Sequence, residues 1–250
     1  MVKVIPLSLF KGVSLKYSWG LSAAEVESMA IEVETKDCSM LGDAEIEEMA
    51  DLSAEGNNPF GIGLLSKQAE AWVLVTTARE GGRLKGFSFC TLERIGGTPS
   101  VIIGASSIQP NSRRNTVLRA VFTELQRRAV MAFPDEDVVF GARFNDPGAL
   151  EAYKPLSNLI PRPDHRASGE ERAWGRRFVK RFGLSSLSYD ERSFTAAGDG
   201  SQPCVFDHSS LKPDNVVAET GKLFKNLDLD RGDTVVAWGW AMSEDLAKLA

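Results

Sequence analysis

The sequence predicts an α/β fold of the α+β kind: a mixed, mostly antiparallel central sheet flanked by helices, with a C-terminal extension. Two observations predict it. Gly-Gly pairs at 81–82 and 96–97 separate runs rich in β-branched and aromatic residues, which is typical of antiparallel hairpins. Residues 100–145 then have the strand–helix–strand length of a crossover between parallel neighbours. A chain of 250 residues is long enough for one large domain or for one domain with an appendage.

The N-terminal part predicts an edge strand and two acidic helices. The edge strand is expected at residues 3–10. The first helix begins after the candidate cap Ser22, and its apolar residues recur at helical spacing: Val26, Met29, Ala30 and Val33. The second begins at Asp43 and ends at Gly56. The many acids of these helices predict a solvated face, with attraction of a basic substrate as the alternative.

The middle of the chain predicts the core of the sheet. Strands at 71–80, 84–95 and 100–110 form an antiparallel meander. The helix that follows carries apolar residues every three or four positions, which predicts one buried face: Val117, Leu118, Val121, Phe122, Leu125 and Ala129. A strand at 138–145 then returns, and we expect it to pair in parallel with strand 100–108.

The last third has weaker patterns. A short helix is expected within 146–155, a basic amphipathic helix at 169–182, a helix after Pro213 and a strand near 233–242. The run CVFDHSS at 204–210 brings Cys, Asp, His and Ser together, but triads are assembled in space, so we interpret it as a turn. We place a first domain at 1–160 and a C-terminal extension, packed on the same domain, at 161–250.

Composition narrows the classes of function. The net charge of −5 does not favour nucleic acid or an anionic membrane as a partner of the whole molecule. No apolar stretch is long enough to span a bilayer, and the N-terminus does not have the pattern of a signal peptide. Three widely spaced cysteines and two histidines predict neither a disulfide framework nor a metal site. We therefore expect a cytoplasmic protein without a metal.

Two arginines, Arg113 and Arg114, stand where the long helix begins. A helix N-terminus carries partial positive charge, so these residues are unfavourable there unless an anion lies between them. Free N–H groups of the first turn, with Asn115 and Thr116, complete a candidate phosphate site. The alternative is that both arginines point to solvent or pair with an acid such as Glu93 or Asp146.

The order of these elements resembles the GNAT superfamily of acyl-CoA-dependent N-acyltransferases over about residues 20–160. In that family's central motif, Ile108 and Pro110 match the strand end and Arg113 matches the Arg or Gln position. Thr116 and Leu118 stand where the family has small residues, which makes a close phosphate loop harder to form. The resemblance implies that Ser107, Ile108, Arg113, Arg114, Asn115 and Thr116 bind the CoA moiety.

The resemblance also implies catalytic roles. Asp146, Ala149 and Tyr153 have the spacing of a second motif, in which the tyrosine protonates the departing thiolate. The alternative is that Tyr153 only packs its helix against the sheet. The pantetheine arm would pair with strand 102–108, and a backbone N–H near Ser107 or Ile108 would polarise the thioester. Glu93 is the candidate base, with an exposed charge beside a turn as its alternative.

The resemblance implies an acyl-CoA-dependent N-acyltransferase. Acetyl-CoA or another acyl-CoA is the expected co-substrate, and an amine of unknown class attacks the thioester directly. One alternative is a GNAT-like module without catalysis that binds a ligand or a protein, which the residues at Thr116 and Leu118 favour. Another is a nucleic-acid-binding protein that uses the basic helix 169–182 with Trp174 and Phe178, although this helix also suits a solvated face over an aromatic stripe.

Overall fold

The computed structural model describes residues 30–207 and 218–249. From Ile31 onward the described chain belongs to one compact unit. Its strands are β1 (Ile31–Asp37), β2 (Leu74–Glu80), β3 (Arg83–Ile95), β4 (Thr98–Ile108), β5 (Val138–Phe144), β6 (Ser157–Ile160), β7 (Tyr189–Asp190), β8 (Thr195–Ala196), β9 (Phe206–Asp207) and β10 (Thr234–Ala241). Its α-helices are α1 (Asp43–Ser53), α2 (Ile62–Ala71), α3 (Arg114–Ala132), α4 (Gly169–Arg181), α5 (Ala218–Lys222) and α6 (Ser243–Leu246). None of these helices is long and apolar enough to cross a membrane.

The strands form one mixed sheet. Its order is β1-β2-β3-β4-β5-β10-β8-β7, with β6 added to β10 and β9 to β4. Neighbours from β1 to β4 are antiparallel, β4 and β5 are parallel, and β10 returns antiparallel to β5. Helix α3 packs on one face, while α1, α2 and α4 cover the other. The predicted fold class, a mostly antiparallel sheet flanked by helices, is confirmed.

The two Gly-Gly turns are confirmed as hairpin turns. All four glycines have positive φ, from 54° at Gly81 to 89° at Gly97, a region that glycine occupies without steric cost. The crossover is confirmed as well, since α3 connects β4 to β5 and buries the predicted apolar face, including Val121 and Leu125.

The prediction of a first acidic helix is wrong in the part of it that the structure describes. Residues 31–37 form strand β1, antiparallel to β2. The stretch from Ile31 to Thr35 alternates apolar and polar side chains with a period of two, and strand pairing uses that alternation. The rest of that helix, like the edge strand at 3–10, lies outside the described residues. Helix α1 is confirmed, although Gly42 and not Asp43 precedes it as the cap.

Later elements agree in part. Helix α4 and strand β10 lie where they were predicted. Helix α2 and strand β6 were not predicted, and the segment 146–155 forms a 3₁₀ turn at Ala149–Tyr153 instead of an α-helix. The division at residue 160 stays a prediction. In the described chain, β7, β8 and β10 continue the same sheet beyond β5.

Candidate functional site

Strands β4 and β5 separate before either one ends. They pair only from Ser100 to Ile102 with Val139 to Gly141, yet β4 continues to Ile108 and β5 to Phe144. The parting leaves a cleft between the carboxyl ends of two parallel strands, which we call the β4–β5 cleft. Ligands of open α/β sheets commonly bind at such strand ends.

Strand β9 occupies part of this cleft. Phe206 and Asp207 pair in parallel with Ser106 and Ser107, and the Ser106 N–H donates to the Val205 carbonyl at 3.1 Å. Val205 and Phe206 are fully buried, and the Phe206 ring stacks on Phe144 with centroids 6.0 Å apart. The β4 backbone that the resemblance assigns to pantetheine is therefore paired with the chain itself at Ser106 and Ser107.

Four polar side chains meet at the end of the cleft and form what we call the Asp207 cluster: Ser107, Asn145, Asn58 and Asp207. Asn58 Nδ2 donates to Asp207 Oδ1 and to Asn145 Oδ1, both at 3.3 Å. Asn145 Nδ2 donates back to Asn58 Oδ1 at 2.6 Å. Ser107 Oγ and Asp207 Oδ2 are buried and have no hydrogen-bond partner within the described chain. Unsatisfied buried oxygens are unfavourable in a structural core and are common at functional sites.

The Asp207 carboxyl is perturbed most in this cluster. Its pKa is raised to about 6, mainly by burial and to a smaller extent by the nearby Asp146 carboxylate, while Asn58 and Ser107 oppose the shift. A carboxyl with a pKa near neutrality can both accept and release a proton, which general acid–base catalysis requires. The sequence interpretation missed this residue because it assigned the run 204–210 to a turn. The run contains strand β9, and its residues from His208 onward lie outside the described residues.

Tyr153 is completely buried. Its ring lies against Phe144, with centroids 5.0 Å apart, and against Phe122 at 5.9 Å. Its hydroxyl has no hydrogen-bond partner among the residues described, and burial raises its pKa well above the usual value. The ring packs the 3₁₀ turn onto the sheet, as the structural alternative predicts, and its role as an acid stays a prediction.

Glu93 lies away from the cleft end. It pairs with Ser100 in the register of β3 and β4, seven residues along β4 from Ser107, which corresponds to roughly 23 Å of extended strand. Its carboxylate accepts from Arg181 Nε at 2.6 Å. The structure therefore does not bring Glu93 together with Ser107 or Ile108.

Backbone N–H groups at the start of α3 already donate hydrogen bonds within the chain. The Arg113 N–H donates to Asn111 Oδ1 at 2.8 Å, the Arg114 N–H to the Asn111 carbonyl at 3.1 Å, and the Thr116 N–H to the Arg113 carbonyl at 2.8 Å. The Arg113 side chain forms an ion pair with Glu80, and Arg114 is buried. Asn115 and Thr116 are exposed. The pairing alternative for Arg113 is therefore observed, with Glu80 as the acid in place of Glu93.

The basic residues of α4 are also engaged. Arg172 and Arg176 pair with Glu191, and the Arg177 guanidinium lies 4.7 Å from the centroid of the Trp174 ring. Trp174 and Phe178 are buried against the sheet. A nucleic-acid surface would need free cations and exposed aromatic rings. In this helix the arginines named here are paired or stacked and the two rings are buried, so these residues stabilise the fold instead.

No protein-family model matches the sequence, and no curated protein matches it at a significant score. Several solved acetyltransferases match about half of the chain. An aminoglycoside 6'-acetyltransferase of type Ii matches 52% of this chain and 87% of its own, at 11% identity and a TM-score of 0.39. The ribosomal-protein-S18-alanine N-acetyltransferase from Escherichia coli matches 56% and 86%, at 10% identity and a TM-score of 0.35. A GNAT family acetyltransferase from Brucella melitensis, solved with acetyl-CoA, matches 49% and 82%, at 14% identity and a TM-score of 0.34.

The topology of this chain, with its antiparallel meander, crossover helix α3 and parallel strand β5, has the order of elements on which the sequence resemblance is based. At these identities and TM-scores the solved structures carry no argument about substrate or activity.

Proposed function

We propose that this chain transfers an acyl group from an acyl-CoA, with acetyl-CoA as the first candidate, to an amine-bearing acceptor. The observation that carries the proposal is Asp207, a buried carboxyl with a pKa of about 6 at the ends of two parted parallel strands. An amine must lose a proton as it forms an amide, and a carboxylate of this pKa can take that proton at neutral pH. Asp207 therefore replaces Glu93 as the candidate base.

The other members of the cluster support this role. Asn58 holds one carboxylate oxygen of Asp207, and the reciprocal hydrogen bonds between Asn58 and Asn145 hold Asn58 in place. The second oxygen, Oδ2, remains without a donor in the described chain and is the atom that can accept a proton. The Ser107 hydroxyl lies beside the Asp207 carboxyl, whose pKa it lowers, but forms no hydrogen bond of ordinary geometry in the described chain, so it can donate to a bound polar group.

The acyl donor does not fit along Ser106 and Ser107 while β9 is paired with them. Separation of β9 would expose Val205 and Phe206, both fully buried, at a cost of about 1.5–3 kcal/mol for each side chain. Donor binding at that edge therefore requires the backbone pairing of β9 with Ser106 and Ser107 to open while Asn58 still holds the Asp207 carboxylate in place. While β9 is paired with β4, the Asp207 carboxyl and the Ser107 hydroxyl are in place, but the edge of β4 at which the acyl donor would bind is blocked.

Calorimetric titration with acetyl-CoA and with CoA tests the proposal. We compare the wild type with Val205→Ala, which weakens the packing of β9, and with Val101→Ala as a matched control, since both valines are fully buried. We expect Val205→Ala to bind more tightly than either of the others. Asp207→Asn should retain binding but lose acyl transfer to a panel of amines. No binding by any of these proteins at millimolar ligand would refute the proposal.

A GNAT-like module without catalysis is the second candidate function. It is favoured by β9, which closes the donor edge, and by Leu118, whose buried side chain stands where the family has a small residue. Absence of CoA binding in a folded Val205→Ala protein would support this candidate. The cytoplasmic location stays a prediction, and the ion pairs of α4 give no reason to extend the proposal to nucleic acid.

A further inference from the structure

A small cavity lies beside the β4–β5 cleft and does not belong to the Asp207 cluster. It has a volume of about 230 Å³ and is lined by residues of both strands, both neighbouring helices and the segment before β9, among them Trp72, Gly104, Arg143, Arg181 and Cys204. Gly104 and Arg143 follow the last paired residues of β4 and β5, Ile102 and Gly141. The cavity therefore opens where the two strands part, and we call it the Arg143 cavity.

The Arg143 guanidinium brings a positive charge to this cavity. Its Nε donates to Thr234 Oγ1 at 3.2 Å, and Arg143 forms no ion pair within residues 30–207 and 218–249. Burial lowers the pKa of Arg143 from its ordinary value, but an arginine side chain stays protonated in a protein. The Asp199 carboxylate acts on Arg143 only at longer range and forms no ion pair with it. A partly desolvated cation with no carboxylate in contact is unfavourable, so a bound anion would stabilise the folded chain.

Other half-buried arginines of the described chain have what Arg143 lacks, a carboxylate beside the guanidinium. Three such ion pairs have nitrogen–oxygen distances of 2.6–2.7 Å: Arg79–Glu48, Arg128–Glu124 and Arg181–Glu93. In each of these three cases the chain neutralises the arginine with a neighbouring carboxylate. Arg143 is an exception, and it faces a cavity.

The walls of the cavity are held in place. Trp72 Nε1 donates to Gln68 Oε1 at 2.7 Å, and the indole lies so close to Gly104 that a Cβ there would be 2.3 Å from the ring. The Arg181 guanidinium carbon lies 5.7 Å from the centroid of that ring. Arg181, which is already paired with Glu93, and a fixed aromatic wall therefore line the cavity with Arg143, so the site is formed before any ligand arrives.

We propose that the Arg143 cavity binds the oxyanion group of a small molecule, a carboxylate or a phosphate, through paired hydrogen bonds from Arg143. The planar guanidinium presents its donors in a fork that matches both groups. The volume is below the ~300 Å³ at which pockets for drug-sized ligands begin, so the cavity suits a small ligand or the anionic end of a larger one. This site is independent of acyl transfer and would exist in a chain that lacks catalysis.

Thermal unfolding of the full chain in sodium phosphate, sodium acetate and sodium chloride at equal ionic strength tests the proposal. A ligand that binds only the folded state raises the melting temperature as its concentration rises. We expect phosphate, acetate or both to raise it above chloride. Phosphate alone identifies a phosphate ligand, acetate alone a carboxylate ligand, and both a site for either. No rise above chloride in either anion would overturn the proposal.

Variants test whether the anion-dependent rise in melting temperature comes from the Arg143 cavity. Arg143→Gln should lose the anion-dependent rise, whereas the control Arg94→Gln, which removes an exposed arginine paired with Glu136, should keep it. If Arg143→Gln does not fold, Arg143→Lys serves instead, and its half-saturating anion concentration should increase roughly tenfold, because lysine cannot form the paired contact. A wild-type response in the folded Arg143 variant would refute the assignment.

The rate of Cys204 alkylation reports whether the anion binds in the Arg143 cavity. Cys204 lines the cavity, while the other two cysteines of the chain, Cys38 and Cys90, are buried. The effective anion should slow the alkylation of Cys204 in the wild type and leave it unchanged in Arg143→Gln. Equal rates with and without that anion in the wild type would contradict binding in this cavity.

Discussion

Replacement of Asp207 by asparagine is expected to stabilise the protein in a pH-dependent way. The folded chain raises the pKa of Asp207 from 3.8 to about 6, so the folded state retains a proton that the unfolded state releases. The stability linked to this proton is complete below pH 3.8 and is lost as the pH rises through about 6. The shift of about two units corresponds to about 3 kcal/mol, at 1.36 kcal/mol for each unit. Because the asparagine amide is never charged, the variant does not incur this loss.

Urea denaturation followed by tryptophan fluorescence between pH 4.5 and 7.5 checks the prediction. The free energy of unfolding of Asp207→Asn, relative to wild type, should increase by about 2 kcal/mol across that range, a difference that moves the urea midpoint by about 1–2 M. Asp199→Asn is a control whose difference from wild type should stay nearly constant across that range, because a hydrogen bond from Ser201 lowers the pKa of exposed Asp199 from 3.8 and keeps it ionised throughout. A difference for Asp207→Asn that is constant with pH, or that shrinks as the pH rises, would refute the burial argument.

Three further substitutions, one of them with a control, test the packing around the site. Gly56→Ala should lower the free energy of unfolding in urea by about 1–3 kcal/mol, because a Cβ there would lie 2.3 Å from the buried carboxylate of the cluster. Gly141→Ala should lower the melting temperature, since its Cβ would meet the Phe178 ring at 2.2 Å, whereas Gly63→Ala, in open space on α2, should raise it slightly. Tyr153→Phe should leave the melting temperature unchanged or raise it, because the hydroxyl it removes has no partner in the described chain. A clear loss of stability in Tyr153→Phe would show that the hydroxyl is hydrogen-bonded.

The elements that could be predicted are those whose signals lie between close neighbours in the chain. The Gly-Gly turns require positive φ, and the apolar stripe of α3 repeats every three or four residues, so both can be recognised without the rest of the molecule. Strand β1 was mistaken for a helix because Val33 continued the helical spacing of the preceding residues. The same residues also alternate between apolar and polar side chains, and only the pairing with β2 makes them a strand. Local periodicity was ambiguous there, and tertiary hydrogen bonds decided the outcome.

The site depended much more on tertiary structure. Asp207 lies on a strand of two residues that pairs with Ser106 and Ser107, about a hundred positions earlier, and its hydrogen-bond partner Asn58 comes from a third part of the chain. Backbone pairing of this kind can be made by almost any residue, so it leaves no pattern in the sequence. The ion pair between Arg113 and Glu80 is hidden for the same reason.

The sequence by itself determined the antiparallel meander, the crossover to a parallel strand and thereby the fold class, because turn residues and hydrophobic periods act over a few positions. Only the tertiary structure decided that β9 closes the donor edge, that Asp207 is buried beside Asn58, and that Arg143 faces a cavity without a carboxylate. Desolvation and charge pairing depend on which distant groups come together in space. These terms set the pKa of Asp207 and leave Arg143 without a carboxylate in contact, and they arise only when the sheet is assembled.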